Sequence, residues 1–445
     1  MSHYPDNIFP GMVANRAAEF PDFKVLTIEG AGVRPDEVRT YRQLWDNGQR
    51  MAQAMLDLGI APGERVALLM ANHAEFVEAM VAAGIVGAAV VPIDPRTKGD
   101  KLHFMLSNSQ CSAAIAADYV LPRLQPLRER LPGLRWAMAF ATDEGDRPPS
   151  DWQGVENLAA RAPADVPDLP LLTIDPDSAL ELIFTSGTTG DPKGIVMTHR
   201  RYCQTVRLGP SLFGYSTDDV LYSGLSLTHA NAQLVTLGSA LACRLRCVLS
   251  RRFTKSRLWD ITRQYGATTF TLLGGMTTAV YTEPRKPNDA DNPVRFVVSS
   301  GMPAAIWGEF SQRFGVQIVE FYGAAEGGMT FNHFGQGPLG SIGKPPPSLQ
   351  YRIVDEAGND VPPGQQGELL MRHANGAPFV VEYFGNPQAS QSKCAGGWLH
   401  MGDVVHADQD GWLYFDYRQG SGQDRPCNHL VYNIKRLICL ERGAA

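Results

Sequence analysis

The sequence predicts an α/β protein in which helices cover parallel sheets, followed by a smaller β-rich region. Three observations carry this reading. Strand and helix patterns alternate over the first 175 residues, and the alternation resumes from ALELIFT (179–185) to VQIVEFYG (316–323). From about residue 340 the texture changes to short strands separated by turns.

Taken in order, residues 41–59 place Leu44, Met51, Met55 and Leu58 at helical spacing and stop at Gly59 and Pro62. ERVALLM (64–70) reads as a strand, 74–88 as an apolar helix, VVPI as the next strand and SAAIAA (112–117) as another. A helix is expected over 119–131. The segment 143–177, rich in Asp and Pro, reads as a surface connection. Beyond it come strands ALELIFT and GIVMTH, helices 200–208 and 229–242, strand RCVLS, helix 254–265, strands TTFTLL and VRFVVSS, and helix 303–313. LQYRIVD, GELLMRH and GWLYFDY then suggest an antiparallel barrel or sandwich.

Composition excludes several classes. The chain has 445 residues, 44% hydrophobic and 19% charged, so it can bury a large core and is not disordered throughout. Forty Lys and Arg against 46 Asp and Glu leave a net charge of −6, with no basic excess to neutralise a phosphate backbone; no nucleic-acid partner is expected. Seven scattered cysteines without a C-x-x-C pair point away from a disulfide framework and toward a reducing, cytoplasmic setting. The longest apolar stretch, Ala79 to Ile93, is shorter than the ~20 residues of a membrane span and contains Pro92. The first residues lack the basic and apolar regions of a secretory signal.

The strongest chemical signal is LIFTSGTTGDPKG (182–194). A buried strand runs into Thr185, Ser186, Gly187, Thr188, Thr189 and Gly190, then Lys193 and Gly194. Glycines let backbone N–H groups curl around an anion, the hydroxyls add donors, and Lys193 adds a mobile charge. The spacing is not that of a Walker A loop. Gly335–Gly340 formally fits G-x-G-x-x-G, but Pro338 lies inside it and no helical pattern follows, so it is not read as a dinucleotide site.

This loop resembles the phosphate-binding signature of the adenylate-forming superfamily, and three further matches follow in order. Ser300-Gly301-Met302-Pro303 resembles the turn that packs on adenine. FYGAAE (321–326) resembles Y-G-x-T-E, and GGWLHMGD (396–403) resembles G-W-x-x-T-G-D. The likeness covers roughly residues 10–418 and is greatest to crotonobetaine/carnitine-type and related acyl-CoA ligases. It implies a large composite N-terminal domain over 1–415, two helix-covered sheets plus a barrel-like subdomain over 340–415. It also implies activation of a small-molecule carboxylate by ATP with Mg²⁺ and transfer to CoA, in a possible homodimer.

By the same resemblance, residues 185–190 and Lys193 hold the β- and γ-phosphates, and Glu326 coordinates Mg²⁺. Tyr322 stacks on adenine, beside Gly323 and Ala325. Asp403 binds the ribose hydroxyls with help from Arg418. His229 aligns with a histidine at the mouth of the acyl pocket, where Gly323 and Ala324 leave room; a lone histidine is as readily structural. Lys193, Glu326 and His229 are the candidate catalytic residues.

Departures from the pattern are also legible. Ala325 and Met401 stand where the family has threonines, which weakens hydrogen bonding without removing charge. DYR (416–418) replaces the usual D-R. Only 27 residues follow Arg418, unlike the family's continuation, and Lys435 lacks the context of the family's lid lysine. Residues 416–445 therefore read as a hinge and an atypical, truncated remnant of the C-terminal lid domain, and full ligation is expected to be weak. An inactive nucleotide or acyl sensor, or a domain that loads a carrier protein, are the alternatives.

Overall fold

The computed structural model describes residues 4–185, 192–332 and 336–419. Ser186, Gly187, Thr188, Thr189 and Gly190 of the glycine-rich loop lie outside the described residues, as does the tail from 420 onward with Lys435. The described chain forms two compact units. One takes in the residues up to Arg252 apart from Ser211–Tyr215; the other comprises Ser211–Tyr215 and the chain from Phe253.

The first unit holds a seven-stranded sheet in the spatial order Val155–Asn157, Trp136–Phe140, Cys111–Ala117, Arg65–Leu69, Ala89–Pro92, Ala179–Thr185, Lys193–Thr198. All neighbours are parallel except the last pair, a hairpin in which Thr185 lies opposite Lys193. Strands buried on both faces carry continuous apolar runs, and Cys111–Ala117 is buried at every position. The connection over 143–177 is more ordered than its composition suggests. It contributes Val155–Asn157 to the sheet edge and a short helix, Leu158–Arg161.

Helix Tyr41–Asp57 starts with a capping box, in which the Thr40 side chain accepts from the Gln43 N–H and Gln43 reaches back to the Thr40 N–H. It crosses the buried helix Ala74–Val86 at Gly48. A Cβ there would stand 2.5 Å from Val81 Cγ1, so only glycine allows this approach. The one acid deep in that second helix, Glu78, is 4% exposed and is paired with Arg39 at 2.6 Å.

Two expected helices differ from their predicted form. Residues 119–131 break into 3₁₀ turns around Leu121–Leu124, where Pro122 and Pro126 interrupt the hydrogen-bond ladder. The stretch expected as one helix over 229–242 is π-helical over Asn231–Gly238 and α-helical only over Ser239–Cys243.

Beside the π-helical segment, the wholly buried Glu181 on strand Ala179–Thr185 faces Gln233. Burial pushes the Glu181 carboxyl up to about 7, and the Gln233 amide opposes this. Between the ordinary value of 4.5 and about 7 the folded chain holds a proton that the unfolded chain releases, so this group's contribution to stability falls as pH rises through that window. Glu181→Gln cannot ionise. Its stability relative to the parent, followed by urea unfolding, is expected to rise by on the order of 3 kcal/mol from pH 5 to pH 8. Parallel profiles would refute this.

The second unit carries three parallel strands, Thr269–Leu273, Phe296–Ser300 and Gln317–Ala324, with Gly327–Phe331 returning antiparallel beside the last. Helix Ala304–Phe314 covers them and buries Trp307, Phe310 and Phe314. From Leu349 the chain forms an antiparallel meander of Leu349–Val354, Gly367–His373, Leu399–Ala407 and Leu413–Arg418. The expected barrel is thus an open four-stranded sheet among the described residues. Each strand pairs with its sequence neighbour, and the first and last strands are not paired with each other.

Candidate active site

In the second unit the two predicted nucleotide motifs meet because their strands are neighbours. Ser299 lies opposite Glu320 in parallel register. The turn Ser300–Pro303 and the segment Tyr322–Glu326 therefore both emerge at the carboxyl ends of adjacent parallel strands, where open α/β sheets bind ligands. Gly301 adopts φ +95°, a backbone region closed to most side chains.

The turn is clamped by Glu320, which is 2% exposed. Its carboxylate accepts from the Gly301 N–H and from the Met302 N–H at 3.1 Å. Burial pushes the carboxyl up to about 7, against the pull of those two amides. Sequence reasoning missed Glu320. Its signal was a lone acid inside the apolar strand that leads to Tyr322.

Asp403, 4% exposed, is the centre of the second cluster. It lies opposite Arg418 in the antiparallel register, so the pairing of 403 with 418 follows from the meander itself. Arg418 Nη1 stands 3.7 Å from one carboxylate oxygen, and the Tyr322 hydroxyl donates to the other at 2.5 Å. Burial raises the Tyr322 phenol well above its ordinary value, and the Asp403 charge adds to the effect, so Tyr322 remains a donor. Its ring is half-buried, and Gly323 beside it is exposed.

Glu326 is 6% exposed and accepts a hydrogen bond at 2.8 Å from the Tyr383 hydroxyl. The Glu326 carboxylate is a hard oxygen donor of the type that Mg²⁺ takes. Tyr383 was not foreseen, since nothing in its local sequence points across 57 residues. Of the two residues that replace family threonines, Ala325 is half-buried and Met401 is fully buried. The Met401 side chain lies against Gly328, where an added Cβ would sit 2.9 Å from its sulfur.

Thr185, Lys193 and His229 lie in the first unit. Thr185, half-buried, and Lys193, exposed, face each other across the hairpin, so the two ends of the glycine-rich loop are held side by side. His229 is exposed, and Asp94 and Arg96 act on it electrostatically. Surrounding protein lowers the imidazole pKa, Asp94 raises it and Arg96 lowers it, with a net downward shift. Burial raises the Asp94 pKa, but the Arg96 hydrogen bonds, two of them 3.0 and 2.5 Å long, and the Arg96 charge together bring it below its ordinary value.

No helix among the described residues is long and apolar enough to cross a membrane. Known proteins share this architecture. The chain is 29% identical over 412 residues to the crotonobetaine/carnitine–CoA ligase of Salmonella typhimurium (strain LT2), covering 90% of this chain and 77% of that one. A crystal structure of the anthranilate CoA ligase AuaEII with anthranoyl-AMP superimposes with a TM-score of 0.83 at 23% identity, covering 94% of this chain and 79% of that one. The N-terminal domain of FACL13 from Mycobacterium tuberculosis matches with a TM-score of 0.76 at 25% identity, over 92% of this chain and 99% of that one. The family described as AMP-binding enzyme matches residues 13–378. With that match spanning most of its length, the chain belongs to the AMP-binding enzyme family.

Proposed function

We propose that this chain is an ATP-dependent acyl-CoA synthetase. A carboxylate attacks the α-phosphate of ATP to give an acyl-adenylate and pyrophosphate; CoA thiolate then displaces AMP to form the thioester. The observation that carries this reading is the arrangement of Tyr322, Asp403 and Arg418 in one hydrogen-bonded and ion-paired cluster, with Glu326 on the same strand-end segment. That arrangement supports recognition of an adenosine phosphate by a chain of this family.

The chain's residues have distinct tasks in this reaction. Asp403 accepts from the ribose hydroxyls, and Arg418 stands beside the Asp403 carboxylate at 3.7 Å. Tyr322 offers its ring to adenine against the Ser300–Pro303 turn, which Glu320 keeps in place. Lys193, with Thr185, Ser186, Gly187, Thr188, Thr189 and Gly190, is assigned to the β- and γ-phosphates. Glu326 would hold Mg²⁺, which when bound offsets the repulsion between two approaching anions. His229, which is exposed, is assigned to the mouth of the carboxylate pocket, with Gly323 and Ala324 leaving space.

Carboxylate-dependent exchange of labelled pyrophosphate into ATP tests the first half-reaction. The panel begins with crotonobetaine, carnitine and anthranilate, the acids in the names of the relative and the structural neighbour above. Exchange with any of them, followed by acyl-CoA formation on adding CoA, is the expected result. ATP binding without exchange would instead favour a nucleotide sensor, a reading to which the substitutions Ala325 and Met401 lend support.

A further inference from the structure

Helix Pro387–Lys393 ends on a lysine that none of the signature motifs contains. The Lys393 ammonium donates to the Met401 carbonyl at 3.3 Å, two residues before Asp403. That is its one hydrogen bond among the described residues, so two of its three donors are unused by the protein there. The side chain is half-buried, and its charge is coupled to Glu326, Asp403 and Glu368, with Arg418 opposing them. Burial lowers its pKa, and the nearby carboxylates act in the other direction.

A tether between this helix and the strand at Leu399–Ala407 would need only the Met401 contact. It would not need a cation with spare donors in the field of both carboxylates of the nucleotide site. The chemistry that uses spare ammonium donors in such a setting is capture of an oxyanion. Asp403 is assigned to ribose and Glu326 to the metal bridging the phosphates, so the oxyanion close to both is the phosphate attached to ribose.

We infer that Lys393 is a phosphate-binding residue that contacts the α-phosphate of the bound nucleotide. The inference rests on the nucleotide reading above. It adds a cation, drawn from the helix before the G-W-x-x-x-G-D segment, to those already assigned to the phosphates.

The test is calorimetric titration of the full chain and of Lys393→Met and Lys393→Arg with AMP and with adenosine. Losing one charge-assisted hydrogen bond is expected to weaken AMP binding about tenfold in Lys393→Met. Adenosine binding is expected to stay unchanged, and Lys393→Arg to restore most of the AMP affinity. Equal loss of AMP and adenosine, or no loss of either, would overturn the inference, the first by showing a structural tether. If the parent chain bound neither AMP nor adenosine, the nucleotide reading itself would fall, a result distinct from either of these.

Discussion

Glu326→Gln is expected to reduce carboxylate-dependent pyrophosphate exchange by ~100-fold or more while leaving the fold intact. The substitution keeps an oxygen able to accept from the Tyr383 hydroxyl, which donates to Glu326 at 2.8 Å, so the buried hydrogen bond persists. What it removes is the negative charge and hard-ligand character on which Mg²⁺ binding depends. Raising the Mg²⁺ concentration should recover part of the lost rate, since the defect is in metal affinity. Thermal unfolding of the variant close to that of the parent, together with the lost exchange, is the expected pair of results. Undiminished exchange would remove Glu326 from the metal site.

Asp403→Ala is expected to act on both binding and stability. In the reading above its carboxylate accepts from two ribose hydroxyls, and the loss of two charge-assisted hydrogen bonds raises the KM for ATP by ~100-fold. The fold is affected as well, because Asp403 is buried and serves both the Tyr322 hydroxyl at 2.5 Å and the Arg418 guanidinium at 3.7 Å. Truncation leaves a half-buried phenol and a guanidinium without this acceptor, at a cost of about 1–3 kcal/mol. Steady-state kinetics against ATP and urea unfolding separate the two effects. A lowered stability with an unchanged KM would restrict Asp403 to a structural role.

The two substitutions probe different parts of one arrangement. Glu326 and Tyr322 ride on the same strand end, whereas Asp403 and Arg418 come from the meander that follows. Lys393 links the two, since its hydrogen bond to Met401 reaches the strand that carries Asp403 while its charge is felt by Glu326. A double substitution at Lys393 and Glu326 should therefore depart from additivity, as groups that share a field do.

Much of the fold was legible because its signals are local. The apolar run of Ala74–Val86, the β-rich strands and the turn residues each announce their element within a dozen positions, and their alternation implies parallel sheets. The motifs were legible for the same reason: TSGTTGDPKG, SGMP, YGAAE and GWLHMGD are contiguous, and their order alone establishes the resemblance. The π-helical form of Asn231–Gly238 was not, since eight residues are too few for their apolar spacing to separate i→i+5 from i→i+4 hydrogen bonding.

The sequence by itself determined the alternation of elements and the family, and it singled out Glu326, Asp403, Arg418 and Tyr322 as candidate site residues. Tertiary structure alone decided their partners. Tyr383 reaches Glu326 across 57 positions, Glu320 reaches back to Gly301 across 19, and Tyr322 meets Asp403 across 81. Likewise the expected barrel became an open meander, and Lys393 came within the field of two acids assigned to other motifs. The physical reason is common to all of these. Local pattern specifies which face a residue presents, but hydrogen-bond partners and charge coupling depend on register and strand order, which are settled only when the whole core packs.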